Sequence, residues 1–339
     1  MEIKIKDHTE DVGFICKTDP WEILGNYHGE PFREYRRKWK LASNFELEPD
    51  FPLQLDFELN DNCNLRCNMC ILSAKKKAKA AYFPIDKFKD IVKNGVKKGL
   101  SALDLSFLNE PLIRVDLPEL IKFSKEAGVL DIGFNTNSML LDDDYSDALL
   151  KSGLTRIQFS VDAHSPEIYN KIRVGGNYNK VKNNILSFIH KKNRKRIKGL
   201  LTAVSFIRMS VNEHEKEDFT QFWKDKVDYI IFREYLNPSI GNSANFKDKK
   251  RLFAKQRHVA KKFRCNKPWQ RLIVRTDGTV LPCCVSFSTH LPMGNIFRDK
   301  IYDIWNSNKM KELRKIHKDG DFFRNKVCLE CAKSSTSDF

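Results

Sequence analysis

Hydrophobic and polar positions fall into a regular rhythm from residue 51 to about residue 232. Residues 53–59 (LQLDFEL) alternate apolar and polar side chains, which predicts a strand. Ile85, Phe88, Ile91, Val92 and Val96 then recur at helical spacing. The change of period repeats down the chain. Further strands are expected at 103–107, 129–134, 157–161, 200–207 and 227–232, and helices at 117–125, 142–152, 181–190 and 214–223. Gly128 and Gly153 stand where two of those helices should stop. Six strands alternating with helices predict an α/β fold with a parallel sheet and right-handed crossovers. Fewer than eight units predict a partial (β/α)6 barrel, with its chemistry at the C-terminal ends of the strands.

Outside this block the rhythm fades. Residues 1–50 show no clear strand alternation and read as an N-terminal extension, with 21–39 as one helix rich in aromatic and basic side chains. The barrel is expected over 51–245 and a small cysteine-rich domain over 246–339. Within that last part, 247–262 reads as a basic helix and 301–316 as another. Thr276-Asp277-Gly278, between the apolar runs 272–274 and 279–281, signals a hairpin.

With 41% hydrophobic and 31% charged residues the composition is that of a globular protein. No apolar run is long enough to span a membrane, and the N-terminus (MEIKIKDHTED) lacks the apolar centre of a signal peptide, so the cytoplasm is the expected compartment. The net charge of +16 favours anionic partners, a phosphorylated small molecule among them. The lysines are nevertheless spread over the chain, and the clusters 75–77 and 191–196 read first as solvated loops or helix ends. No helix–turn–helix, KH or RRM pattern accompanies the charge, which argues against nucleic acid.

The nine cysteines change the picture, because eight of them fall in two groups. Cys63, Cys67 and Cys70 lie together just after a predicted strand. Soft thiolates in a short loop suit an iron–sulfur cube, and three ligands leave one iron open to a small molecule. Zinc ordinarily takes four ligands, and no fourth Cys or His lies near this loop. The second group is Cys265, Cys283, Cys284, Cys328 and Cys331. Its spacing alone leaves structural zinc and an iron–sulfur cluster equally open. Cys16 lies outside both groups, and the eight histidines show no metal-binding spacing.

The run CNLRCNMC at 63–70 resembles the signature loop of the radical S-adenosylmethionine superfamily. The resemblance implies a 4Fe–4S cluster whose open iron binds S-adenosylmethionine, and cleavage of that cofactor to a 5′-deoxyadenosyl radical that abstracts a substrate hydrogen. Leu108-Asn109-Glu110-Pro111 resembles the family's GGEP segment with both glycines replaced, so Glu110 and Pro111 carry over as contacts to the methionine amino group. Asn135-Thr136-Asn137 resembles the TNG stretch beside the cofactor. Ser160-Val161-Asp162, followed by YNKIR at 169–173, is similar to the family's SLDG region, which would bring Ser160 and Arg173 to the cofactor's carboxylate or ribose. Asn212 and Glu215 resemble a further cofactor-side segment.

Beyond the barrel, CNKPWQRLIVRTDGTVLPCC, GNIFRDKIYDIWNS and CLEC resemble the SPASM domain or its shorter twitch version. That implies a second, auxiliary 4Fe–4S cluster on Cys265, Cys283, Cys328 and Cys331, and a flavodoxin- or ferredoxin-type electron donor as partner. Cys284 is left over. It is the candidate hydrogen-atom donor, by analogy with radical epimerases, with a substitute ligand or a small buried residue as the plainer readings. The expected reaction is oxidation or epimerisation of a sugar, aminocyclitol or nucleotide-sugar. The alternatives are radical modification of a peptide or protein and, from a different class, a non-catalytic zinc-binding protein. Arg233, Glu234 and Tyr235, just past the sixth strand, are the residues expected on the substrate side.

Overall fold

The computed structural model describes residues 3–7, 12–74, 79–235 and 264–334. A hairpin of β1 (Ile3–Asp7) and β2 (Val12–Cys16) opens the chain. The six expected strands follow as β3 (Gln54–Phe57), β4 (Ala102–Asp104), β5 (Asp131–Thr136), β6 (Arg156–Ser160), β7 (Leu201–Arg208) and β8 (Tyr229–Glu234). Neighbours in this series pair in parallel, each one step along the sheet from the last. The C-terminal region adds β9 (Arg271–Val274), β10 (Thr279–Leu281) and β11 (Gly294–Asn295). The sheet therefore runs β1-β2-β8-β7-β6-β5-β4-β3-β9-β10-β11.

Both ends of the sheet depart from the sequence expectation. The pattern over residues 1–50 predicts no strand, yet β2 pairs antiparallel with β8. A short strand held between β1 and β8 draws its stability from its neighbours' hydrogen bonds rather than from a pattern of its own. At the other edge β9 pairs in parallel with β3, so the C-terminal region continues the barrel's sheet. The expected hairpin at 276–278 is present as the antiparallel β9–β10 pair.

Helices α1 (Pro20–His28) and α2 (Glu30–Ser43) replace the single expected helix over 21–39. The side chain of Asp19 caps α1 by accepting from Trp21 N at 2.7 Å. Gly29 separates the two helices at φ 78°, ψ −161°, a conformation that essentially only glycine adopts. The crossover helices are α3 (Ile85–Val96), α4 (Leu117–Glu126), α5 (Asp143–Lys151), α6 (Pro166–Ile172), α7 (Tyr178–Arg194) and α8 (Lys216–Trp223). After the short α9 (Lys267–Gln270), the expected helix over 301–316 is two, α10 (Ile301–Trp305) and α11 (Asn308–Lys318). Ser307 interrupts it by capping α11, its Oγ accepting from Met310 N at 3.3 Å. Helix α12 (Lys326–Ser334) is the last described element. The basic segments 75–77 and 247–262 lie outside the described residues. Lysines 191 and 192 are not merely solvated: Lys191 pairs with Asp143 and Asp147, and the buried Lys192 with Asp228.

Alternation along the strands divides the core in two. Leu55, Leu103, Ile132, Phe134, Ile157, Phe159, Val204 and Ile230 pack against the crossover helices, through Phe88, Ile121, Leu149, Val181, Phe188 and Trp223 among others. On the opposite face, where the parallel strands begin, Leu53, Ala102, Leu201, Ala203, Tyr229 and Ile231 are covered by Leu24, Phe32, Tyr35 and Ala42 of α1 and α2. The N-terminal helices thus close the bottom of the open barrel, leaving the C-terminal ends of the strands to the loops. Among the described residues no helix is long and apolar enough to cross a membrane.

Candidate functional site

The chain leaves β3 through a run of asparagines that shapes the first cysteine loop. Asn60 accepts from Asn62 N at 3.1 Å, and Asn62 accepts from Cys63 N at 2.9 Å. Arg66 turns inward to donate to the carbonyls of Cys63 and Leu65 at 2.6 and 2.8 Å. The loop is pinned to the end of α6 and the residues just past it, with Arg66 N donating to Val174 O and Asn68 N to Ile172 O.

Each of the three sulfurs faces N–H donors. Leu65 N lies 3.5 Å from Cys63 Sγ, and the Asn137 amide lies 3.8 Å from it. Arg173 Nη1 lies 3.9 Å from Cys67 Sγ, and Leu72 N lies 3.4 Å from Cys70 Sγ. Burial pushes the Cys63 thiol up to about 12, the Cys70 thiol up to about 11, and the Cys67 thiol upward as well. Such thiols give up their protons to a metal rather than to solvent, and the donors around them match what a negatively charged thiolate cluster requires.

Glu110, buried between the ends of β4 and β5, is the node of the site. Its carboxylate accepts from Thr136 Oγ1 at 2.7 Å, Asn137 N at 2.8 Å and Leu112 N at 3.1 Å. Its backbone is tied to the cysteine loop, with Glu110 N donating to Asn62 O and Asn60 Nδ2 donating to Glu110 O. Desolvation raises its pKa, opposed by those hydrogen bonds. Pro111 starts the single turn that follows. Asn137 closes the circuit by donating to Asn64 Oδ1 at 2.8 Å. Glu110, Pro111, Thr136 and Asn137 are therefore brought together beside Cys63.

Asp162, Arg173 and Asn212 form a second buried knot. Asp162 pairs with Arg173 and accepts from Ile207 N at 2.8 Å. It holds φ 62°, a strained setting for a side chain larger than glycine. Asn212 donates to Asp162 O at 2.8 Å and Ile207 O at 2.9 Å while accepting from Met209 N. These partners bind the ends of β6 and β7 together. Glu215 accepts from His164 N and the Ser165 hydroxyl at the start of α6. Ser160 is half-buried at the end of β6.

The second cysteine group also assembles. Burial first, then the neighbouring charges of Cys265, Cys331, Cys284 and Cys328, raises the Cys283 thiol well above its usual range. Burial pushes Cys328 up to about 12, with Cys265 adding to it. Cys283 therefore lies within electrostatic reach of the other four cysteines, Cys284 included. Among the described residues, no three His, Cys, Asp or Glu side chains gather at the spacing of a single bound ion.

Two positions escaped sequence reasoning. His317 is buried against the second group, its Nε2 3.3 Å from Cys328 Sγ. Burial lowers its pKa to about 4. The available signal was a histidine eleven residues before the first cysteine of CLEC. Gln158, on the same face of the sheet as Arg233, accepts from Arg233 Nη2 at 3.4 Å. Among the described residues Arg233 makes no ion pair, and its buried Nε has no hydrogen-bond partner. Glu234 pairs with Arg208, and Tyr235 is buried.

Residues 57–206 match the Radical SAM superfamily, and residues 265–332 match the iron-sulfur cluster-binding domain called SPASM. A probable GTP 3′,8-cyclase of Methanococcus maripaludis is 36% identical over 127 residues, 38% of this chain and 42% of that protein. The GTP 3′,8-cyclase of Alkaliphilus oremlandii is 33% identical over 184 residues, 52% of this chain and 54% of that protein. The chain thus spans about half the length of the curated relatives it matches. Among solved structures, SuiB of Streptococcus suis bound to S-adenosylmethionine has a TM-score of 0.64 at 16% identity, covering 89% of this chain and 75% of that one. BtrN in complex with AdoMet and 2-DOIA has a TM-score of 0.51 at 17% identity, covering 83% and 92%. Both are likenesses of fold.

Proposed function

The chain belongs to the radical S-adenosylmethionine superfamily and carries a SPASM iron–sulfur domain. From that premise we propose that it takes a hydrogen atom from a phosphorylated, sugar-bearing substrate, a nucleotide or nucleotide-sugar, and oxidises or epimerises it. The observation that carries the reading is the Glu110 node, which ties the ends of β4 and β5 to a loop of three donor-facing thiols.

In this reading Cys63, Cys67 and Cys70 would hold the first 4Fe–4S cluster, with S-adenosylmethionine bound beside it. A cluster held there would supply the electron for reductive cleavage of S-adenosylmethionine. Glu110 offers a buried carboxylate to the methionine ammonium, with Pro111, Thr136 and Asn137 fixing its place. Ser160 stands at the cofactor's other side. Asp162, Arg173 and Asn212 act by positioning, since their hydrogen bonds hold the β6 and β7 ends and bring Arg173 to Cys67. Cys265, Cys283, Cys328 and Cys331 hold the second cluster, and Cys284 beside them is the candidate hydrogen donor. A flavodoxin- or ferredoxin-type protein supplies electrons.

The substrate class rests on Arg233. A guanidinium in the sheet's inner face, bonded only to the neutral Gln158 among the described residues, suits a phosphate. The GTP 3′,8-cyclases to which the chain is similar bear a phosphorylated nucleotide in their name, which supports the same class.

Anaerobic reconstitution tests this. About eight irons per chain and 5′-deoxyadenosine formed with dithionite and S-adenosylmethionine are expected. Replacing Cys63, Cys67 and Cys70 with Ala should abolish cleavage and leave about four irons. Continued 5′-deoxyadenosine formation by that variant would overturn the first site. Deuterium transfer from labelled nucleotides or nucleotide-sugars should identify the substrate, and R233A should raise its KM tenfold or more. Transfer from peptides alone would replace the substrate reading.

A further inference from the structure

We propose that His317 is a positioning residue of the second metal site, donating a hydrogen bond to the thiolate of Cys328 and thereby setting the reduction potential of the cluster held there. The inference rests on the reading that Cys265, Cys283, Cys328 and Cys331 hold a cluster.

Geometry alone assigns the proton. His317 sits in the last turn of α11 and is 1% exposed. Its Nδ1 lies 3.3 Å from the backbone nitrogen of Cys265, a group that can only donate. Nδ1 must therefore present its lone pair. The proton of the neutral ring then resides on Nε2, which lies 3.3 Å from Cys328 Sγ. One imidazole spans two of the segments that converge on the site, the irregular segment at Cys265 and helix α12 at Cys328. It accepts from the first and donates to the second.

An N–H aimed at a ligating sulfur withdraws charge from it. The reduced cluster carries one more negative charge than the oxidised one, so the donor stabilises the reduced form more and raises the potential. In a domain whose fold is continuous with the barrel sheet, this is the lever by which α11 sets how readily the second cluster accepts an electron. Arg314, one turn earlier on α11, fixes the helix by donating to Pro268 O at 3.0 Å and pairing with Glu48 at 3.0 Å. The imidazole's position is thereby referred to the body of the protein.

The test uses the full chain carrying C63A, C67A and C70A, reconstituted so that only the second cluster is present. With 15N-histidine in the protein, pulsed EPR of the reduced cluster should show one weak nitrogen coupling and an exchangeable proton. Both should vanish in H317L, whose midpoint potential should fall at unchanged iron content, and H317Q, which keeps an N–H, should restore the midpoint. A strong coupling from a directly bound nitrogen would overturn the proposal by making His317 a ligand. No nitrogen coupling in the parent, or an unchanged midpoint in iron-replete H317L, would overturn it too. Should H317L fail to load, the parent's coupling decides: weak upholds the proposal, absent or strong overturns it. A parent without iron would remove the cluster reading itself, a result distinct from the others.

Discussion

Glu110 accepts three hydrogen bonds with two carboxylate oxygens, in a place water does not reach. In E110Q one oxygen becomes an amide donor and must face a donor. The expected loss is about 1–3 kcal/mol of stability, read by thermal denaturation, together with weaker S-adenosylmethionine binding. Asp104 offers a pH test. Burial first, then the charge of Asp56, pushes it up to about 6, above the ~3.9 of an unfolded aspartate. The folded chain binds that proton more readily, so stability falls as pH rises between those two values. D104N keeps the oxygen that accepts from Ser106 N and Oγ at 3.1 and 2.6 Å. In the metal-free protein it should exceed the parent's stability by about 1–3 kcal/mol at about pH 8, and the gain should vanish below about pH 4, as urea titrations at both values would show.

At the scale of elements, the joint between α1 and α2 matters most to the barrel. The two helices cover the start of the strands with Leu24, Phe32, Tyr35 and Ala42, and Gly29 allows the chain to turn between them. G29A should lower stability by about 1–3 kcal/mol, seen as an earlier thermal midpoint, because its backbone setting excludes a Cβ. Loss of the Ser307 cap in S307A should cost about 1 kcal/mol by the same measurement, since Met310 N would lose its partner. Both breaks fall inside apolar periodicity that looks continuous, which is why each pair of helices reads as one in the sequence.

At the scale of the molecule, the C-terminal region is part of the barrel's architecture. β9 continues the sheet beside β3, Phe297 stacks on Phe83 at 5.9 Å, and Trp305 Nε1 donates to Pro49 O at 2.6 Å. Leu272, Val274, Trp305 and Leu313 belong to the same apolar core as the crossover helices. A chain truncated after residue 263 should therefore bare the edge of β3 and much of that core. Such a chain is expected to bind a hydrophobic dye and lose its cooperative urea transition, whereas an independently folding barrel would keep it.

Much of this protein is legible residue by residue. Period two and period 3.6 alternate strictly enough to mark the six strands β3–β8, because each strand and helix buries one face locally. The spacing of Cys63, Cys67 and Cys70 groups them within one loop for a similar reason, whereas the second group is drawn from segments far apart in the chain and its spacing alone leaves the metal open. What the sequence leaves open is whatever depends on partners far along it. The pairing of β2 with β8 and of β9 with β3 is decided by strand edges that meet only in the folded sheet. The meeting of Arg233 with Gln158, of Asn137 with Cys63, and of His317 with Cys328 and Cys265 is decided by loops and helix ends converging in three dimensions. A hydrogen bond needs two atoms within about 3 Å, and only the tertiary structure brings such distant residues that close.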